Sequence, residues 1–204
     1  MKFKACFHPI LACAIVGLAA RSQAAPVTWA APVTIAGDAD VATAGTPVFA
    51  YNWAGSAQTI NGVAFTAAGT GATMGGFGGV HTTAFGSTSP PYVNLSPAYK
   101  AVLVGSIYTG ASACTVTLNS LTPGRQYQIQ LWVNDSRALN LGYARTETVT
   151  TGGGNTVTLS YPGNVDGAPG QYTIGTFTAD ASSQVITLLG NSATQVNALQ
   201  LRDL

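Results

Sequence analysis

The densest run of side chains able to do chemistry is Trp132, Asn134, Asp135 and Arg137, with Tyr143 and Arg145 close behind. An exposed aromatic ring beside an amide, a carboxylate and arginines is what sugar recognition uses. The ring stacks on the apolar CH face of the sugar while the planar polar groups take its hydroxyls. Trp132 falls in phase with Gln128, Gln130 and Asn134, the polar phase of its segment, which predicts that it points outward. These six residues are the candidate ligand-binding set. A structural reading stands beside the binding one. Asp135 then pairs with Arg137 or Arg145 to lock the connection from Asn134 to Tyr143, and Trp132 lies under a helix or a glycine-rich loop.

Other chemistries are poorly supplied. A hydrolytic triad needs a base beside its nucleophile, and beyond the leader described below His81 is the sole histidine. Zinc wants three or four His, Cys or carboxylate ligands. A glycosidase needs two facing carboxylates; Asp135, Glu147 and Asp166 are candidates that no spacing sets apart. No residue is assigned as catalytic, and a non-enzyme is expected. Hard cations take several oxygens, and the turn Gly37-Asp38-Ala39-Asp40 offers two acids, as Asn134-Asp135 offers another oxygen pair beside a strand end. Asp38 and Asp40 are therefore the candidate metal ligands, for a structural calcium ion. The alternative is that turn carboxylates accept nearby N–H groups.

The element that must position the main cluster is the segment Leu121–Arg137. Pro123-Gly124 signals a turn, after which Tyr127, Ile129, Leu131 and Val133 alternate with polar-phase residues. That predicts a strand with one buried face, whose far end carries the cluster.

Residues 1–24 read as a secretory signal: Lys2 and Lys4, an apolar run over Ala5–Ala20, then Ser22-Gln23-Ala24 as a cleavage site. Export and release are expected, with no transmembrane anchor, because the apolar run is short and broken by Pro9. Cleavage leaves Lys100, Arg125, Arg137, Arg145 and Arg202 against seven acids, a net charge of −2. That excludes nucleic acid as a partner, which needs a basic stripe. Only 7% of residues are charged, against about 25% in average domains. Such a surface has few ions to desolvate and suits adhesion or self-association. Cys114 alone remains beyond the leader, in phase with Val116 and Leu118, so a buried thiol is expected rather than a disulfide.

Residues 25–204 read as one domain. Ala25–Ile35 is a proline-interrupted edge strand, Val48–Trp53 a strand, and Asn61-Gly62 the turn of a hairpin. The glycine content of 67–91 predicts a surface loop, with a short strand near Val80–Phe85. Ser96-Pro97 opens a short helix carrying Tyr99, Val102, Leu103 and Ile107; a strand over Ala101–Tyr108 is the alternative. Strands are expected at Cys114–Asn119, Gln126–Asn134, Tyr143–Thr150, Asn155–Tyr161, Gln171–Thr178, Gln184–Leu189 and Val196–Leu201. The fold class is all-β: an antiparallel two-sheet β-sandwich, jelly-roll-like, with one short helix.

The pattern Leu-x-Pro-Gly-x-x-Tyr-x-Ile-x-Leu at Leu121–Leu131 resembles the strand opening of fibronectin-type and malectin-like or galactose-binding-like sandwiches, in which the tyrosine packs at a corner between sheets. Asp40-Val41-Ala42-Thr43-Ala44-Gly45-Thr46, Ile60–Phe65, Tyr172–Asp180 and Asn197–Arg202 resemble a group of exported, largely uncharacterised bacterial proteins. The resemblance implies an extracellular jelly-roll and, by fold analogy, carbohydrate or a cell-surface glycan as ligand. The expected function is a secreted, non-catalytic binding module. The alternative is a structural or adhesive protein that self-assembles through edge strands and its uncharged Thr/Gly surface; a hydrolase ranks third.

Overall fold

The computed structural model describes residues 25–139 and 144–204; the expected leader and Tyr143 of the candidate set lie outside them. Two short strands, β1 (Thr28–Trp29) and β2 (Val33–Thr34), precede a 3-10 turn over Asp38–Asp40. Next come β3 (Thr46–Asn52), β4 (Gln58–Ile60), β5 (Val63–Ala67), β6 (Ala72–Gly75) and β7 (Gly79–His81). The helix α1 (Pro97–Leu103) leads into β8 (Ser106–Gly110), β9 (Cys114–Leu118) and β10 (Gln126–Val133). The remaining strands are β11 (Thr146–Thr150), β12 (Val157–Ser160), β13 (Gln171–Thr178), β14 (Gln184–Gly190), β15 (Ala193–Val196) and β16 (Ala198–Asp203).

The first sheet runs β1-β13-β10-β16-β3-β5-β4, with β2 also on β13; the second runs β12-β11-β14-β9-β6, and a small third runs β15-β8-β7. The fold is an all-β sandwich with one α-helix, as its strand-rich pattern predicts. Its pairs are antiparallel except β3 with β5, which is parallel.

β10 lies inside the first sheet, between β13 and β16. Its inner residues Tyr127, Ile129, Leu131 and Val133 meet Val116, Leu118, Val149, Leu159, Ile186 and Leu188 of the second sheet in the main core. Each such side chain contributes about 1.5–3 kcal/mol on burial. The Tyr127 hydroxyl accepts the Thr122 N–H at 2.9 Å, tying the turn back to the strand.

The outer face of β10 is covered too. α1 starts where Ser96 caps it, its hydroxyl accepting the Tyr99 N–H at 3.1 Å, and Pro97 occupies the first turn. Tyr99, Val102 and Leu103 then share one face and pack with Ile60, Phe65 and Trp132 in a second core. This third layer corrects the expectation that Trp132 points to solvent: it is 0% exposed, and its indole N–H donates to Tyr99 Oη at 2.8 Å. Of the polar residues in its phase, Gln130 and Asn134 are buried as well and Gln128 is half-buried. Gln130 Nε2 donates to Asp40 O and its Oε1 accepts the Ala42 N–H, while Gln200 Nε2 donates to Ala42 O. Polar-phase residues thus hold down the 40–45 segment, whose backbone needs partners.

The 67–91 segment also departs from a plain loop, since it forms both β6 and β7. Glycine there serves close packing: a Cβ at Gly75 would sit 2.5 Å from Thr115 Oγ1 across the β6–β9 pair. The helix forms but ends at Leu103, so Ile107, expected on it, lies in β8; of the alternative strand over Ala101–Tyr108 only the part from Ser106 forms, with Gly105 at the joint. A Cβ on Gly105 would meet the Ala54 nitrogen at 2.5 Å. The Asn61-Gly62 hairpin forms as expected, with φ of 49° and 77°. Among the described residues no helix is long and apolar enough to cross a membrane.

Candidate functional site

The end of β10 delivers Asn134, Asp135 and Ser136 to a fully buried junction. The Asn134 N–H donates to Asn197 Oδ1 at 2.7 Å, and its Nδ2 to Phe85 O at 3.0 Å. Its Oδ1 accepts from Ser136 Oγ and from the Gly170 N–H. All of its polar groups are therefore spent on joining four segments. None is offered to a ligand.

Asp135 behaves as the structural reading expects, and it uses both arginines. Arg137 donates Nε to Oδ1 at 2.7 Å and Nη2 to Oδ2 at 2.8 Å; Arg145 Nη1 reaches Oδ2 at 2.8 Å. The carboxylate side chain is 0% exposed, whereas that of Arg137 is 36% and that of Arg145 14% exposed. A buried carboxylate needs such compensation, and in return it raises the Arg137 pKa by hydrogen bonding. The guanidinium also lies 4.8 Å over the Phe85 ring. Of the five candidate residues that are described, Arg137 is the one that reaches an open surface groove.

That groove has a volume of about 570 Å³ and runs between the glycine-rich segment, α1 and the 137–138 turn. Thr83, Ser87, Thr88, Lys100, Arg137 and Asp166 supply its polar lining. The exposed Asp166 carboxylate accepts from Ser87 Oγ at 2.6 Å and from Ser89 Oγ, and these bonds hold its pKa below the usual range. Lys100 Nζ donates to Val93 O at 2.8 Å. Ring contacts continue beyond Phe85: His81 stacks on Tyr108 at 4.8 Å, and both meet Phe85 edge-on. Sequence reasoning missed Ser87, Thr88 and Lys100, because nothing in their spacing signals that the glycine-rich segment folds back against α1.

The remaining candidates have structural partners. Asp40 Oδ2 accepts the Ala36 and Gly37 N–H groups and the Tyr99 hydroxyl, and Asp38 Oδ1 accepts from Ser96 Oγ at 2.6 Å. The Ala36 and Gly37 bonds are those that the turn alternative predicts, whereas the two hydroxyls come from α1 and its cap; among the described residues no three His, Cys, Asp or Glu side chains gather as a metal site. Glu147 is 0% exposed inside the sandwich, with Oε2 accepting the Gln195 N–H at 2.7 Å. Asp135 and Glu147 are thus both buried away from the groove carboxylate, Asp166. His81 Nε2 contacts the Tyr108 hydroxyl at 3.0 Å.

Neither a family model nor any curated protein matches the chain.

Proposed function

We propose that the protein is a secreted, non-catalytic module that binds carbohydrate, with the sugar seated in the groove beside Arg137. The observation that carries this reading is the clamp on Arg137. A buried carboxylate on one edge and the Phe85 ring beneath hold a planar donor at the groove wall before any ligand arrives. Preorganisation of this kind lowers the ordering cost of binding. Ser87, Thr88, Asp166 and Lys100 add the hydroxyl, carboxylate and ammonium partners that sugar hydroxyls use.

The test is retention of residues 25–204 on a panel of immobilised polysaccharides, beside Ala138→Trp. Ala138 is exposed and lines the groove, so the bulky ring blocks it without disturbing the core. Retention of the parent and its loss in the variant are expected. Equal retention of both would place the sugar elsewhere, and no retention on any polymer would sink the reading.

A second reading, self-assembly, rests on the outer face of the second sheet. Thr115, Thr117, Thr146, Thr148, Thr150 and Thr187 alternate with buried residues there, and the outward positions of its strands carry no charge. Association through that face would be nearly independent of salt; sedimentation at low and high ionic strength tests it.

A further inference from the structure

β3 and β5 are neighbours in the first sheet yet meet only at one end. They pair at Tyr51↔Thr66 and Asn52↔Ala67. β16 lines the opposite edge of β3 from Thr46 to Asn52, and β4 lines the opposite edge of β5 from Val63 to Phe65. The inner edges of 46–50 and 63–65 therefore face each other with no ladder between them. Among the described residues, no loop backbone bonds to either edge. An unpaired strand edge is a row of donors and acceptors at strand spacing, ready to template another chain.

Between these edges lies a cleft of about 590 Å³, walled by Val48, Ala50, Val63 and Ala64. Arg202 also lines it. Its side chain is almost wholly enclosed, the residue being 4% exposed. Nε donates to Ala44 O, and Nη2 to Thr43 O and Gly45 O, but among the described residues Nη1 has no partner. A buried donor left without an acceptor is unfavourable, and more so when it is charged.

We propose that this cleft accepts an extended peptide strand bearing a carboxylate. Its backbone pairs with the inner edges of β3 and β5, its apolar side chains meet the valine walls, and its carboxylate takes the unmatched charge of Arg202. Two features select a peptide over a lipid or a sugar. Facing strand edges are matched by amides at strand spacing, and an acyl chain would leave them unpaired. The walls are too apolar for a sugar, while alternate side chains of a strand suit them.

The experiment uses a fluorescein-labelled hexapeptide of alternating valine and threonine with a free C-terminal carboxylate, and the same peptide as its amide. Anisotropy titrations are run against the parent and Ala64→Trp; Ala64 is exposed, so the variant fills the cleft without touching the core. Hydrogen exchange follows the amides of 46–50 and 63–65. Binding of the acid about tenfold or more tighter than the amide, loss in Ala64→Trp and slowed exchange on both edges are expected. Arg202→Gln, which removes the charge and is checked for folding by its melting curve, should bind acid and amide alike. Equal binding of acid and amide by the parent overturns the proposal. So does unchanged binding by Ala64→Trp, absence of protection on the edges, or no binding of either peptide.

Discussion

Arg137 grips Asp135 with two N–H groups on one edge, at 2.7 and 2.8 Å, while the carboxylate itself is closed off from water. The relationship is unequal. Arg137 is partly open to solvent, whereas among the described residues the two arginines alone balance the enclosed Asp135. Asp135→Asn sets two cations against a neutral amide, and breaking a buried pair in this way costs about 3–5 kcal/mol. Arg137→Gln leaves Arg145 in place on a half-open site and is expected to cost clearly less. Urea unfolding of the two variants measures the difference; equal losses would show that the exposed arginine carries as much as the buried acid.

Trp132 is a poor probe of binding, contrary to what its phase in β10 suggests. It fills the second core and donates to Tyr99 Oη at 2.8 Å, and that hydroxyl in turn reaches Asp40. Trp132→Ala should therefore cost about 3–5 kcal/mol through the cavity it leaves. Tyr99→Phe removes only the shared hydroxyl and should cost about 1–2 kcal/mol. Any loss of sugar retention in Trp132→Ala should follow its lost stability. A Trp132→Ala protein that melts like the parent would contradict the buried placement.

These two residues mark where sequence reasoning stops. Alternation in β10 correctly sorted Tyr127, Ile129, Leu131 and Val133 to one face, since a strand's period is set by covalent geometry. It could not tell whether the other face meets water, because that depends on α1 and the β4–β5 hairpin folding across it from distant sequence. Gln130 and Gln200 add to the deception: polar residues mimic a solvent face while bonding the 40–45 backbone. The Asp135–arginine pairing was legible because opposite charges stand close in sequence. The groove was not, since Ser87, Lys100 and Asp166 converge only through tertiary contacts. Composition misled at β6, where glycine permits close contact with Thr115 rather than breaking structure.

Cys114 is 1% exposed, and burial raises its thiol pKa. Thiolate, the reactive form, is thereby suppressed. In the native protein a thiol reagent at pH 8 should label Cys114 no faster than the protein unfolds, and labelling should become rapid in denaturant. Fast native labelling would show that β9 opens locally.

Glu147 makes stability depend on pH in a direction opposite to that of most carboxylates. Unfolded, it titrates at about 4.3; folded, complete burial holds the proton to much higher pH, opposed by the Gln195 N–H. Between those two values the native state binds more protons than the unfolded chain, so this group's contribution falls as pH rises. Its stabilisation is complete below the unfolded value and is lost as pH climbs toward the folded one. The local inventory agrees with a neutral side chain. Among the described residues Glu147 Oε1 is buried with no donor to stabilise a negative charge on it. Glu147→Gln keeps an oxygen for the Gln195 N–H and removes the titration. The variant should match the parent near pH 4 and exceed it by about 1–3 kcal/mol at pH 8. Taking the difference between the two curves cancels other groups, such as Asp166, whose lowered pKa acts in the opposite sense. Parallel curves from pH 4 to 8 would mean that Glu147 is ionised and fully matched in the native state.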